Sequence, residues 1–183
     1  MAAFLDTLLR GVSLVGQAIA VGGVVFVLWV QRPSSMPTWT ASILGRSLAL
    51  IVTGAVAAGV AQVLAVLVQL AALAEDGGWP IRQILDTTYG RASVVRLLGS
   101  VVLVGACVAM RRWGASAPTA ATLIGAAFVL TGAMAWTSHA VSRLEHRAPL
   151  LALEGVHQLA AVVWIGGLIH LTAAAFRRPE PRP

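Results

Sequence analysis

The sequence predicts an all-α, polytopic membrane helical bundle of about five transmembrane helices. Of its 183 residues 58% are apolar and only 11% are charged, about half the charged share of a soluble domain. The apolar residues also gather into five continuous stretches, each long enough to supply the roughly 20 residues a spanning helix needs. Within these stretches apolar and polar positions do not alternate, which favours helices over barrel strands. So few charges exclude a soluble globular surface, and the composition is the opposite of a disordered chain. The net charge of +6 is carried by Arg alone and is scattered between apolar runs, so no basic stripe for nucleic acid exists. The single cysteine, Cys107, rules out an internal disulfide and a cysteine-based metal cluster.

The first span runs from about Leu8 to Val30 and is interrupted by Arg10 and Gln17. Its apolar run exceeds a signal-peptide core and no A-x-A-like site closes it, so a retained helix is expected. Arg32-Pro33-Ser34-Ser35-Met36-Pro37 ends it, because proline cannot continue a helix. The second span, about Leu48 to Ala74, carries Gln62 and Gln69 and stops at Glu75-Asp76-Gly77-Gly78-Trp79-Pro80. Pro80 opens a short interfacial turn over Ile81 to Leu85. The third, about Ala92 to Met110, holds Arg96 near its start and ends at Arg111-Arg112-Trp113-Gly114. The fourth covers about Pro118 to His139, and the fifth about Pro149 to Phe176, with Glu154, His157 and His170 inside it. Residues 1–176 are thus expected to form one transmembrane domain, followed by a polar, proline-rich tail over 177–183. Small residues spaced by four, Gly16 and Ala20, Ala55 and Gly59, and Gly125 with Val129, suit close helix packing in lipid.

With five spans the termini lie on opposite sides. Seven Arg on one side against six on the other do not decide topology by the positive-inside rule; Arg111-Arg112 and Arg177-Arg178, which abut helix ends, favour an N-terminus outside and a C-terminus in the cytoplasm. His139, His146, Glu154 and His157 then gather at the outer face. His170 lies 13 residues beyond His157, about 20 Å deeper along the axis, and cannot share a ligand with it.

Ionisable side chains inside a span are functional candidates. Arg96 and Glu154 fall at similar depth, so a structural ion pair between them is expected; a snorkelling Arg96 is the alternative. Glu154 and His157 project from one face of the fifth helix. A carboxylate beside an imidazole is a common arrangement around a metal-ligating histidine, and equally a way to satisfy a buried one. Met134, shortly before His139, can add a thioether. No Met-x-x-Met or Cys-x-x-Cys occurs, which disfavours a methionine-lined cuprous channel and leaves an imidazole-rich outer metal site of His139, His157, Met134 and Glu154. Trp29, Trp113 and Trp136 fit an aromatic belt. Trp164 sits mid-span, where packing inside the protein is expected.

Three runs resemble a known family. Ile84-Leu85-Asp86-Thr87-Thr88-Tyr89-Gly90-Arg91, continuing to Arg96-Leu97-Leu98, looks like the "dT-x-[FY]-G-R … [RK]-L" helix entry of copper-resistance D (CopD) integral membrane proteins. Thr137-Ser138-His139-Ala140 resembles the "S/G-H-A" that ends their next helix. His157 through Leu168 resembles their "H-x-L-A-A-x-x-W-x-G-G-L". The resemblance is to the N-terminal part of the family bundle. It covers about residues 84 to 171, with the first two helices matched by hydropathy.

The resemblance implies a multi-pass bacterial inner-membrane protein that moves copper between periplasm and cytoplasm, often beside a small periplasmic copper-binding partner of the CopC type. His139 and His157 are its matched histidines; Trp164, Gly166 and Gly167 its matched core; Arg91 and Arg96 its basic positions. Family members are longer bundles, so a homo-oligomer or a second membrane subunit is expected to supply further helices. The leading expectation is copper binding or transfer at the periplasmic face. A b-type haem held by the two histidines and a structural or accessory subunit of a larger membrane complex are the alternatives; c-type attachment is excluded because no C-x-x-C-H occurs. No nucleophile with a base and an orienting acid is present, so no enzyme is expected.

Overall fold

The computed structural model describes residues 2–31, 38–74, 78–137 and 147–176. These fold into six helices, five of them long and apolar enough to cross a membrane. Helix α1 (Ala2–Val25) runs directly into a π-helical turn, Phe26–Gln31. It is followed by α2 (Thr38–Leu73), the short α3 (Ile81–Asp86), α4 (Thr88–Trp113), α5 (Ala117–Ala135) and α6 (Arg147–Ala175). The fold is the all-α polytopic bundle that the composition predicts.

Helix boundaries follow local chemistry. Thr87 caps α4: its hydroxyl oxygen accepts from the Gly90 amide at 3.0 Å while its hydroxyl donates to the Ile84 carbonyl at 2.6 Å. Gly90 is required here, because any Cβ would run into the Ile84 carbonyl. Arg111 and Arg112 complement the dipole in the last turn of α4. Gly114 then closes the helix at φ 82°, donating to the Met110 carbonyl. Ser116 and Thr119 form a reciprocal capping box at the start of α5, where Pro118 needs no amide hydrogen.

Several boundaries differ from expectation: α1 starts at Ala2, ahead of Leu8, and α4 at Thr88, ahead of Ala92. Helix α2 starts at Thr38 rather than near Leu48, since a helix can run on past the hydrocarbon through polar residues such as Arg46 and Ser47. Helix α5 ends at Ala135, with Trp136 as its C-cap and Thr137 donating to the Met134 carbonyl in a closing turn. It therefore stops four residues short of His139, which lies outside the described residues along with His146, the 32–37 link and the 177–183 tail.

Helix α1 is the hub. It packs against α2 on one side and α6 on another and also touches α5, while α4 packs on α2 and α5. The core between them holds Val21, Val24, Val27, Ile51, Leu103 and Leu123. The helix backbones meet at glycines. A Cβ placed on Gly16 would lie 2.7 Å from the Gly54 carbonyl oxygen and 2.8 Å from the Ala58 amide nitrogen. A Cβ on Gly22 would lie 2.6 Å from the Gly166 Cα, and one on Gly166 would strike the Ala18 carbonyl. Gly16 and Ala20 thus do mediate close packing, against Gly54 and Ala58 of α2; Ala55 is buried and Gly59 faces Ser100 and Leu97 of α4, whereas a Cβ on Gly125 would meet nothing within 4 Å.

Adjacent glycines on α6 give a sharp test. Gly166→Ala should lower the thermal unfolding temperature of the purified protein and expose α6 to protease, at an overpacking cost of about 1–3 kcal/mol. Gly167→Ala, where a new Cβ meets nothing within 4 Å, should not destabilise and should gain up to about 1 kcal/mol from alanine's higher helix propensity.

Candidate functional site

The C-terminal end of α5 and the first half of α6 carry three of the expected metal ligands, Met134, Glu154 and His157. Met134 is half-buried near the end of α5. Glu154 accepts a hydrogen bond from the Gln158 amide nitrogen at 2.9 Å, one turn along α6. His157 is exposed and has no hydrogen-bond partner among the described residues. His139, and with it the His139–His157 separation, lies outside the described residues. Among the described residues no group of three or more His, Cys, Asp and Glu could hold a metal ion.

Helix α6 divides into two faces. Val162, Gly166 and His170, spaced by four, are buried against α1. Leu153, His157, Trp164, Leu168 and Leu171 occupy the opposite face and are exposed, Trp164 at 77%. This corrects the expectation that Trp164 packs inside the protein. Val162, Gly166 and His170 already fill the α1 contact, and Trp164 lies two residues from both Val162 and Gly166, on the far side of the helix.

The Arg96–Glu154 ion pair does not form. Helix α4 faces α2 and α5, whereas α6 lies against α1, so the two charges point to different neighbours. Arg96 instead donates from Nη2 to the Ser13 hydroxyl on α1 at 2.5 Å. Because Ser13 is buried, this bond turns the guanidinium inward, which is the reverse of snorkelling.

Around Arg96 lies a polar network that the residue-by-residue reading missed. The Gln62 amide nitrogen on α2 donates to the Ser93 hydroxyl at 2.8 Å and to the Tyr89 hydroxyl at 3.3 Å. Ser93 donates in turn to the Tyr89 carbonyl. The Gln17 amide nitrogen on α1 donates to the Leu130 carbonyl on α5 at 3.3 Å. These bonds join α1, α2, α4 and α5 across the membrane interior. A signal was present: Tyr89, Ser93, Arg96 and Ser100 recur at i, i+4, i+7 and i+11, one face of a helix, and Ser13 and Gln17 are i, i+4 on α1.

His170 is a further buried polar residue. Its Nε2 lies 3.0 Å from the Ile19 carbonyl oxygen on α1 and donates to it. Its ring sits 5.6 Å from the Phe26 ring at the start of the π-helical turn, and Gly23 leaves room for it. Nδ1 is buried without a partner. His170 thus ties α6 to α1. The large groove between α1 and α2, about 600 Å³, is lined by residues such as Phe4, Leu8, Val12 and Ile19.

Five long apolar helices around a hydrogen-bonded polar interior define a polytopic α-helical membrane protein. The chain belongs to the copper resistance protein D-like N-terminal domain family, whose model matches residues 1–146. It is therefore a copper-related membrane protein. The match takes in the Asp86–Arg96 run, His139 and the first two helices, and it ends before the His157–Leu168 run. Comparison with curated proteins and with solved structures gave no match.

The network predicts which polar substitutions matter. Ser13→Ala removes the hydrogen bond of a charged group and should cost about 1.5–3 kcal/mol in reversible unfolding. Glu154→Gln, whose carboxylate pairs only along its own helix, should leave stability within about 0.5 kcal/mol of the parent.

Proposed function

We propose that this protein binds and hands on copper at the periplasmic ends of α5 and α6. His157 and His139 are the imidazole ligands of the copper substrate, Met134 adds a thioether, and Glu154 balances charge and orients His157. The supporting observation is the state of His157. It is an imidazole inside a spanning helix, in a member of a copper-resistance family, one turn from a carboxylate and used by no other described residue. His170 is already committed to the fold by its bond to Ile19, so it is not a ligand in this proposal.

In this reading the protein is a carrier rather than an enzyme. It sits in the bacterial inner membrane with its N-terminus in the periplasm and its C-terminus in the cytoplasm. A small periplasmic copper-binding protein of the CopC type exchanges metal with the outer site. A second copy or a second membrane subunit covers the exposed α6 face that holds His157 and Trp164. Neutral imidazole suits copper in either oxidation state, and a carboxylate nearby raises the basicity of the ring.

Purified protein loaded with copper and measured by elemental analysis tests the proposal. His157→Ala should abolish bound copper while helical content and unfolding temperature stay at parent values. Glu154→Gln should weaken binding about 10–100-fold, the usual effect of removing a group that orients a ligand. Unchanged copper stoichiometry in His157→Ala would reject the site and favour the purely structural subunit.

A further inference from the structure

Arg96 is a cation inside a transmembrane bundle, and the described residues give it a hydroxyl but no carboxylate. The acidic residues among the described residues are engaged or placed elsewhere. Asp6 pairs with Arg10 near the start of α1, Asp86 is exposed at the end of α3, and Glu154 is bonded to Gln158 on α6. Arg96 is part-buried, and a charge partly removed from water without a counter-charge carries a desolvation cost. The guanidinium carries five N–H donors in all, and Ser13 takes only part of that capacity.

Arg96 also lines a small cavity between α1, α2, α4 and α5. Gln17, Gln62 and Ser100 supply its other polar lining, and Ala and Leu side chains with the Gly59 backbone close it. The Gln62 amide nitrogen is already committed to Ser93 and Tyr89, and one Gln17 N–H to the Leu130 carbonyl, which leaves Arg96, Ser100 and the second Gln17 N–H as the remaining donors of the lining. Its volume of about 10 Å³ holds a single water-sized sphere.

We propose that this cavity is a binding site for one small monovalent inorganic anion, of which chloride is the type. The charge of Arg96 calls for a counter-ion that the described residues do not provide. The size of the cavity excludes sulfate, phosphate and lipid headgroups, leaving a halide as the fitting class. Apolar walls raise the attraction between cation and anion by keeping water away. The site is independent of the copper reading at α5 and α6: α5 contributes to both, but no residue is shared.

The full chain, purified in detergent, provides the test. Chloride is titrated against gluconate at constant ionic strength, and thermal unfolding and equilibrium binding of radiolabelled chloride are followed. The expected result is saturable binding of one ion per chain and a saturable rise in unfolding temperature, reproduced by bromide but not by sulfate. Arg96→Gln should lose both responses. If that variant does not fold, Ser100→Val, which fills the cavity and keeps the charge, should bind no chloride. Parent protein without saturable halide binding would leave the cavity to water and overturn the proposal. Halide binding that survives in folded Arg96→Gln or Ser100→Val would overturn it too. Copper binding measured in parallel on the same variants should not change, which separates failure here from failure of the copper site.

Discussion

Helix α1 must touch its neighbours backbone to backbone, and the rest of the bundle depends on that. In a bilayer the hydrophobic effect does little to press one helix against another, because lipid tails are as apolar as leucine. Attraction comes from close van der Waals approach and from hydrogen bonds. Gly16 against Gly54 and Ala58, and Gly22 against Gly166, bring α1 close enough to α2 and α6 for both. The same approach sets Gln17 within reach of the Leu130 carbonyl and His170 within reach of the Ile19 carbonyl.

Polar side chains then fall into two groups. Ser13, Gln17, Gln62, Ser93, Tyr89 and Arg96 spend their hydrogen bonds joining helices in the interior. His157, on the exposed face of α6, spends none among the described residues. The runs that resemble the copper-resistance family divide the same way. Thr87 and Gly90 make the α3–α4 corner, Tyr89 receives the Gln62 amide, and Gly166 admits α1. His157 is a member of those runs whose chemistry the fold leaves free. That is why the copper proposal rests on it rather than on His170, which is buried but already holds α6 to α1.

Much of the fold was legible in the sequence because bilayer thickness imposes a length rule. Leu8–Val30, Ala92–Met110 and Pro149–Phe176 each fall on an observed helix. Ends were harder, as hydropathy marks the hydrocarbon edge and not the last hydrogen bond. Hence α2 extends back to Thr38, and α5 ends at Ala135 where Trp136 and Thr137 turn the chain. For the candidate site, depth along each helix was legible but direction around it was not. Arg96 and Glu154 share a depth, yet α4 and α6 face different neighbours. Trp164 was placed mid-span correctly but on the wrong side of α6.

By itself the sequence determined that this is an all-α membrane bundle of five spans from a copper-resistance lineage, because composition, run length and short motifs are properties of the chain read in one dimension. Tertiary structure alone decided that α1 is the hub, that Ser13 rather than Glu154 receives Arg96, and that His170 is consumed while His157 is not. Those outcomes depend on how each helix is rotated about its axis. In lipid, where nearly every face is apolar, that rotation is set by where glycines let two backbones meet.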